Sequence, residues 1–301
     1  SATAFAPGSI GNVGPGFDVL AIAVDGIGDR VTVELTRGRS KVLGVSGRDV
    51  ALVPVDADKN SAAIAANAYL RPFGYRALIT LEKGLALAAG MGGSAASSVA
   101  GAYAAALALG QAPVIDDVIA AALEGEVAVA GWHLDNIAAS AVGGLALSRS
   151  SRPIDVVRLP VAAPWWLTLV TPHVRIETRH ARSILPETAD RGVWIQQMAN
   201  SLGVAHAFAV GDGALLARSL DDLYAEPLRS PLIPYFSEVK LAALATGAFG
   251  CSISGSGPTV FVVSPDEGTA RACAESMQQA FRDVASDAYA GRIAEQGVRR
   301  S

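Results

Sequence analysis

The sequence has little cysteine, few aromatic residues and no run of like charge. Two cysteines, Cys251 and Cys273, among 301 residues leave no material for a disulfide framework and point to a reducing compartment. Basic residues number 24 against 28 acidic ones, a formal charge of −4 with no basic block, which argues against nucleic acid as the main partner. Uninterrupted apolar sequence is scarce as well. The most apolar stretch, Gly84–Gly110, is mostly alanine and is broken by Gly90, Gly92, Gly93, Ser94, Ser97 and Ser98. That composition suits a buried helix of a soluble fold and not a membrane span, so no membrane partner is expected. The opening SATAFAPGSIG lacks a basic region followed by an apolar core, so no signal peptide and a cytoplasmic location are expected.

Hydrophobic residues make up 51% and charged residues 17%, enough for a sizeable core in one large or two smaller domains. VTVEL (Val31–Leu35) and ALITL (Ala77–Leu81) alternate in the manner of strands, and Gly143–Ser148, WWLTLVTP and the two ends of CSISGSGPTVFVVS add more. Helical patterns cover Asn60–Leu70, Ser94–Leu109, Asp116–Val129, Val193–Val210, Ala214–Leu223, Ser237–Thr246 and Gly268–Val284. The polar, proline-punctuated Ser148–Pro164 marks a junction and divides the chain into 1–155 and 156–301. Strands mixed with helices, without heptads or repeats, indicate an α/β or α+β enzyme-like fold.

SISGSGPTV (Ser252–Val260) places Gly255, Gly257 and Pro258 before a strand-like run. A plain turn needs one glycine; two alternating with serines suggest backbone that closely approaches another group. PGSIGNVGPGFDVLAIAV (Pro7–Val24) and GMGGSAASSVAGAYAAA (Gly90–Ala106) form two further glycine-rich loops. In the second of these, glycines lead into a helix whose first N–H groups are unpaired and carry the positive end of the dipole, an arrangement suited to phosphate. No lysine follows the glycines, so this is not a P-loop. No acidic residue about twenty positions on ends a second strand, so it is not the usual dinucleotide fingerprint.

In order and spacing the three segments resemble the three motifs of the GHMP small-molecule kinases. The first is most similar to the form found in the homoserine kinase branch, S-x-x-N-x-G-P-G-F-D. Glu124–Ser140 resembles that branch's H-x-D-N segment, while ETRHARSILP (Glu177–Pro186) and AEPLRSPLIPYF (Ala225–Phe236) resemble its two arginine segments. The resemblance covers nearly the whole chain. It implies an α+β fold of two domains, the first like the second domain of ribosomal protein S5 and the second ferredoxin-like, with the site between them. It also implies ATP and Mg²⁺ as cofactors, L-homoserine as the phosphoryl acceptor, and a homodimer.

On this resemblance Gly90, Met91, Gly92, Gly93, Ser94, Ala95, Ala96 and Ser97 wrap the phosphates, and Asn60 contacts the adenine. Gly93 replaces the first serine of the family's second motif, which removes a hydroxyl and leaves a backbone N–H. Ser94 and Glu126 are expected to serve the metal. Glu124 and Glu126, two apart on a helix, point roughly 200° apart, so only one faces the site. Arg182 and Arg229 suit the acceptor's carboxylate, since a guanidinium fork matches it in two-bond geometry. Asn12, Asp18, His133, Asp135 and Asn136 supply contacts to its ammonium and hydroxyl, and Thr178 stands near the reacting hydroxyl. No lysine–aspartate pair of the mevalonate kinase type is evident at the matching places. Direct attack of the hydroxyl on the γ-phosphoryl is therefore expected, with Asn136 or Asp135 polarising it. Gly255, Ser256 and Gly257 form a site-shaping loop. Two alternatives stay open: a GHMP kinase for another hydroxylated small molecule, and a non-catalytic nucleotide-binding homologue, which Gly93 encourages.

Overall fold

The computed structural model describes residues 1–301, as an α+β fold built on two sheets. β1 (Ala2–Gly11) and β2 (Leu20–Thr36) make a long antiparallel pair at the centre of a seven-stranded sheet. The far half of β2 pairs with β4 (Arg76–Lys83), which carries β3 (Lys41–Gly47) parallel on its other edge. The near end of β2 pairs with β5 (Leu145–Ser151), and β6 (Ile154–Leu159) folds back on β5. The second sheet runs β10 (Ser286–Arg292), β7 (Trp166–Pro172), β9 (Val260–Ser264), β8 (Gly250–Ile253), antiparallel throughout. β11 (Arg299–Arg300) then returns the chain to the edge of β1 in the first sheet.

The first half carries α1 (Ser61–Leu70), α2 (Gly93–Ala108), α3 (Ile115–Val129) and α4 (Asp135–Val142). α2 is the alanine-rich stretch. Its small side chains let α1 come so close that a Cβ on Gly101 would lie 2.5 Å from the Ala62 carbonyl oxygen. No helix is long and apolar enough to cross a membrane. The second half carries α5 (Thr178–Ser183), α6 (Arg191–Val210), α7 (Gly213–Ser219), α8 (Glu226–Arg229), α9 (Phe236–Ala245) and α10 (Glu267–Ala280). β9 is buried on both faces. Phe261 and Val263 join the main core, while Val260 and Val262 pack with Val239, Met277 and Phe281.

Three expectations are revised. Pro7–Gly11 is strand and not loop; its Pro-Gly step appears only as a register shift between Pro7 and Gly8. α7 stops at Ser219 because Asp222 Oδ1 accepts the Tyr224 and Ala225 N–H groups and Gln197 Oε1 accepts that of Leu223. The division at 155/156 falls inside β6; the hairpin with β5 keeps both strands in the first sheet, and the second sheet begins only at β7.

Candidate active site

The floor of the site is a buried ion pair. Asp29 lies within β2 and Lys83 ends β4, and the two side chains, 0% and 2% exposed, meet beneath the start of α2. Lys83 Nζ also donates to the Gly93 carbonyl and to Ser97 Oγ, both at 3.0 Å. Asp29 Oδ2 accepts from Ser97 Oγ at 2.5 Å, and Oδ1 accepts from the Gly84 and Leu85 N–H groups at 3.0 and 3.2 Å. The carboxylate therefore fixes the start of the loop leading to α2, and the ammonium fixes the helix's first turn. With its polar atoms satisfied, such a pair is stable, but removing either partner strands a buried charge.

The loop delivers α2 with a bare N-terminus. Gly92 is the N-cap at φ 65°, and no side chain caps the helix. A Cβ there would lie 2.2 Å from Ser9 Oγ, so both conformation and space demand glycine. The unpaired N–H groups open into a cleft lined by Gly90, Gly92, Gly93 and Ser94 at this end. They and the helix dipole make a cradle for phosphate.

Beside the cradle, Ser94 and Glu126 of α3 line the same part of the cleft. Glu126 is 6% exposed and its Oε2 has no partner. Burial pushes its pKa up to about 7; the nearby Ser94 hydroxyl opposes the rise and the Asp135 carboxylate adds to it. Asp135, at the start of α4, is pushed up to about 6 by burial and then by the charge of Asp18. Glu124 points the other way, into solvent, with its Oε2 2.7 Å from Arg71 Nη2. A buried carboxylate oxygen without a partner, next to a hydroxyl and a phosphate cradle, fits a hard divalent cation that takes oxygen ligands.

At the opposite end the cleft carries two arginines, Arg182 and Arg229. Arg182 of α5 makes a two-bond pair with Asp18, Nη1 to Oδ2 at 3.0 Å and Nη2 to Oδ1 at 2.7 Å. His133 Nδ1 lies 3.1 Å from Arg182 Nη2; burial and then the Arg182 cation hold its pKa below the ordinary value, so it is the neutral acceptor. Arg229 of α8 is 3% exposed and has no acidic partner; its Nε donates to the Ala181 carbonyl and Nη1 to that of Gly255. The Phe17 ring supports both guanidiniums, with centroid distances of 5.2 and 5.4 Å. Asn136 lies in the middle of the cleft. Its Oδ1 accepts from Ser9 Oγ at 2.9 Å, and Nδ2 is 3.5 Å from Asp135 Oδ1. Thr178 Oγ1 sits 3.4 Å from Ser256 Oγ on the opposite wall.

The third glycine loop joins these parts. Gly255 N donates to the Gly11 carbonyl at 3.1 Å, Thr259 N to that of Ala89 at 3.2 Å, and Ser254 Oγ to that of Gly90 at 2.6 Å. The Gly255 carbonyl accepts from both Asn12 Nδ2 and Arg229 Nη1, each at 3.0 Å. Close approach of backbone is what its glycines serve, and the groups approached are the end of β1 at Gly11 and the glycine loop that leads into α2.

Several expected residues stand differently from a direct ligand contact. Ser97 turns its hydroxyl inward to Asp29, and Ala95 and Ala96 are fully buried. Met91 is buried, and its carbonyl accepts from Ser9 N. Asn60 caps α1 through Ala63 N and donates to the Pro54 carbonyl, although it also lines a hollow adjoining the cleft. Asn12 holds Asp18 N with Oδ1 and Gly255 with Nδ2. The sequence reading missed Asp29, Lys83, Ser9 and Phe17. Ser9 and Phe17 stand at fixed letters of the first glycine-rich motif, which was the available signal for them; Asp29 and Lys83 carried none by themselves.

Residues 60–144 match the GHMP kinases N terminal domain and residues 204–283 the GHMP kinases C terminal family. The chain belongs to the GHMP kinase family. Among the relatives that match over nearly their full length are homoserine kinases. That of Chlorobium phaeobacteroides (strain BS1) is 37% identical, over 99% of this chain and 98% of its own length. That of Xanthomonas campestris is 40% identical, over 96% and 90% respectively. The crystal structure of the Cytophaga hutchinsonii homoserine kinase superposes with a TM-score of 0.93 at 39% identity, covering 100% of this chain and 97% of that one.

Proposed function

We propose that this protein transfers the γ-phosphoryl group of ATP to the side-chain hydroxyl of L-homoserine, giving O-phospho-L-homoserine and ADP. The observation that carries this is the polarity of one cleft: an uncapped helix N-terminus at one end and a buried arginine without an acidic partner at the other. The first suits a triphosphate and the second an amino acid's carboxylate, so the hydroxyl between them meets the γ-phosphorus. The names of the relatives support the same acceptor.

Ser94 and Glu126 would hold Mg²⁺, which when bound neutralises charge on the β- and γ-phosphates. The α2 N–H groups position the triphosphate, and the Lys83–Asp29 pair keeps them in place. Asp135 and Asn136 orient the acceptor hydroxyl. Asp135, with a pKa near 6, is mostly ionised at neutral pH and accepts the hydroxyl's hydrogen bond without first removing the proton. Rate enhancement then comes from alignment and charge stabilisation. Gly93 leaves the cradle intact, because it contributes its N–H and a Cβ there would meet nothing nearer than 3.4 Å.

The test is a panel of hydroxylated small molecules with Mg·ATP, following ADP release. L-Homoserine should give the fastest release, with stoichiometric phosphohomoserine and far slower release with water alone. A different preferred acceptor, or tight ATP binding with no turnover on any of them, would overturn the proposal.

A further inference from the structure

Four side chains of the cleft, Glu126, His133, Asp135 and Asn136, come from the end of α3, the start of α4 and the link between them. That link has little backbone to hold it. Ala130 N and Gly131 N both donate to the Glu126 carbonyl, and His133 N donates to that of Gly131. Gly131 stands at φ 119°, a conformation open chiefly to glycine. A segment with so few bonds of its own takes its path from what grips it from outside.

Trp132 supplies the grip. Its indole is not part of the cleft wall; it reaches the tip of the β5–β6 hairpin, where Arg152 and Pro153 turn the chain between Ser151 and Ile154. Nε1 donates to Ser151 Oγ at 2.8 Å, and the Arg152 guanidinium carbon lies 3.9 Å from the ring centroid. The ring remains 44% exposed, so its place depends on these two directed contacts more than on burial. α3 and α4 both lie against β6, which puts the hairpin and the link on one face of the first domain.

We propose that Trp132 is a positioning residue: clamped to the hairpin tip by Arg152 and Ser151, it fixes the α3–α4 link so that Glu126 and Asp135 keep their placement against α2. The hairpin touches no substrate, yet through the indole it supports both carboxylates. This rests on the function proposed above, in which Glu126 serves the metal and Asp135 the hydroxyl. A misplacement of about 1 Å can cost about 100-fold in rate. The α2 cradle is anchored separately, through Lys83 and Asp29, so ATP binding without metal does not depend on the clamp.

The test combines steady-state kinetics with calorimetry of ATP binding, in EDTA and in Mg²⁺, on Trp132→Ala, Trp132→Phe, Arg152→Ala and the double alanine variant. Trp132→Ala should lower kcat at least about tenfold, and Trp132→Phe, which keeps a ring beneath Arg152, should recover much of the loss. Arg152→Ala should lower kcat several-fold. The double variant should be no slower than Trp132→Ala, because the arginine acts through the indole. The affinity for ATP gained on adding Mg²⁺ should shrink several-fold in Trp132→Ala, while the affinity in EDTA stays put. Wild-type kcat and a wild-type Mg²⁺ gain in Trp132→Ala and Arg152→Ala would overturn the clamp. So would losses that simply multiply in the double variant, or an equal loss of ATP affinity with and without metal. Failure of the wild-type protein on homoserine would instead sink the kinase reading, and the calorimetry would still judge the clamp.

Discussion

Glu126 and Glu124 stand two residues apart on α3 and meet opposite surroundings. Glu126 is buried with an unpartnered oxygen, and burial pushes its pKa up to about 7. An acid whose pKa is higher in the folded than in the unfolded chain weakens the fold as pH rises from the unfolded value, near 4.5, through the folded one. Without divalent metal, Glu126→Gln should therefore be more resistant to urea than the wild-type protein at pH 8, by on the order of 3 kcal/mol. The difference should vanish near pH 4. The same substitution should lower turnover by about 100-fold or more, because an amide cannot supply the negative charge. Glu124→Gln breaks only an exposed pair with Arg71, a loss of about 1 kcal/mol or less, and should leave turnover unchanged. The opposite pattern between the two glutamates would remove Glu126 from the metal site.

Among the elements, the glycine loops are where sequence and structure part company most. Gly90 and Gly74 both hold left-handed backbones, φ 80° and 72°, but a Cβ on Gly90 would lie 2.4 Å from the Ser254 carbonyl oxygen while one on Gly74 would meet nothing within 4 Å. Gly74→Ala should thus lose only the conformational term, about 1–2 kcal/mol. Gly90→Ala should lose clearly more, and should also raise the KM for ATP, since it separates the phosphate loop from the third loop; urea midpoints and initial rates check both. Equal losses would mean that the joint is not packed as described. The long helices and the interior strands were legible by different signals: β9 is a short continuous apolar run bounded by turn residues, and α2 is rich in alanine, the strongest helix former. β1 was not, because a Pro-Gly bulge imitates a loop. β3 and β10, half-exposed and without a clean alternation, carry no period to read. Of the site, Glu126 could be chosen over Glu124 from helical geometry and motif spacing. The Lys83–Asp29 pair could not, because it depends on the side-by-side pairing of β2 and β4, which no local pattern announces.

For the whole molecule, the cleft exists because the third loop seats on the loops of the first sheet, with Gly255 accepting from Asn12 on one side and Arg229 on the other. Domain contact and the proposed acceptor site thus share Arg229. Its two backbone bonds hold α5 and the third loop together, and burial together with the neighbouring Arg182 lowers its pKa while leaving no acidic partner in contact. A guanidinium so placed is stabilised most by a carboxylate brought in from outside, through charge-assisted bonds of about 1.5–3 kcal/mol. The most direct measurement is steady-state kinetics of Arg229→Leu with each substrate varied in turn. The expected result is a homoserine KM raised at least about tenfold, the equivalent of 1.4 kcal/mol, with the ATP KM nearly unchanged and Arg229→Lys recovering only part of the loss. An unchanged homoserine KM, or an equal rise in both constants, would contradict a cleft that holds ATP at one end and an amino acid's carboxylate at the other.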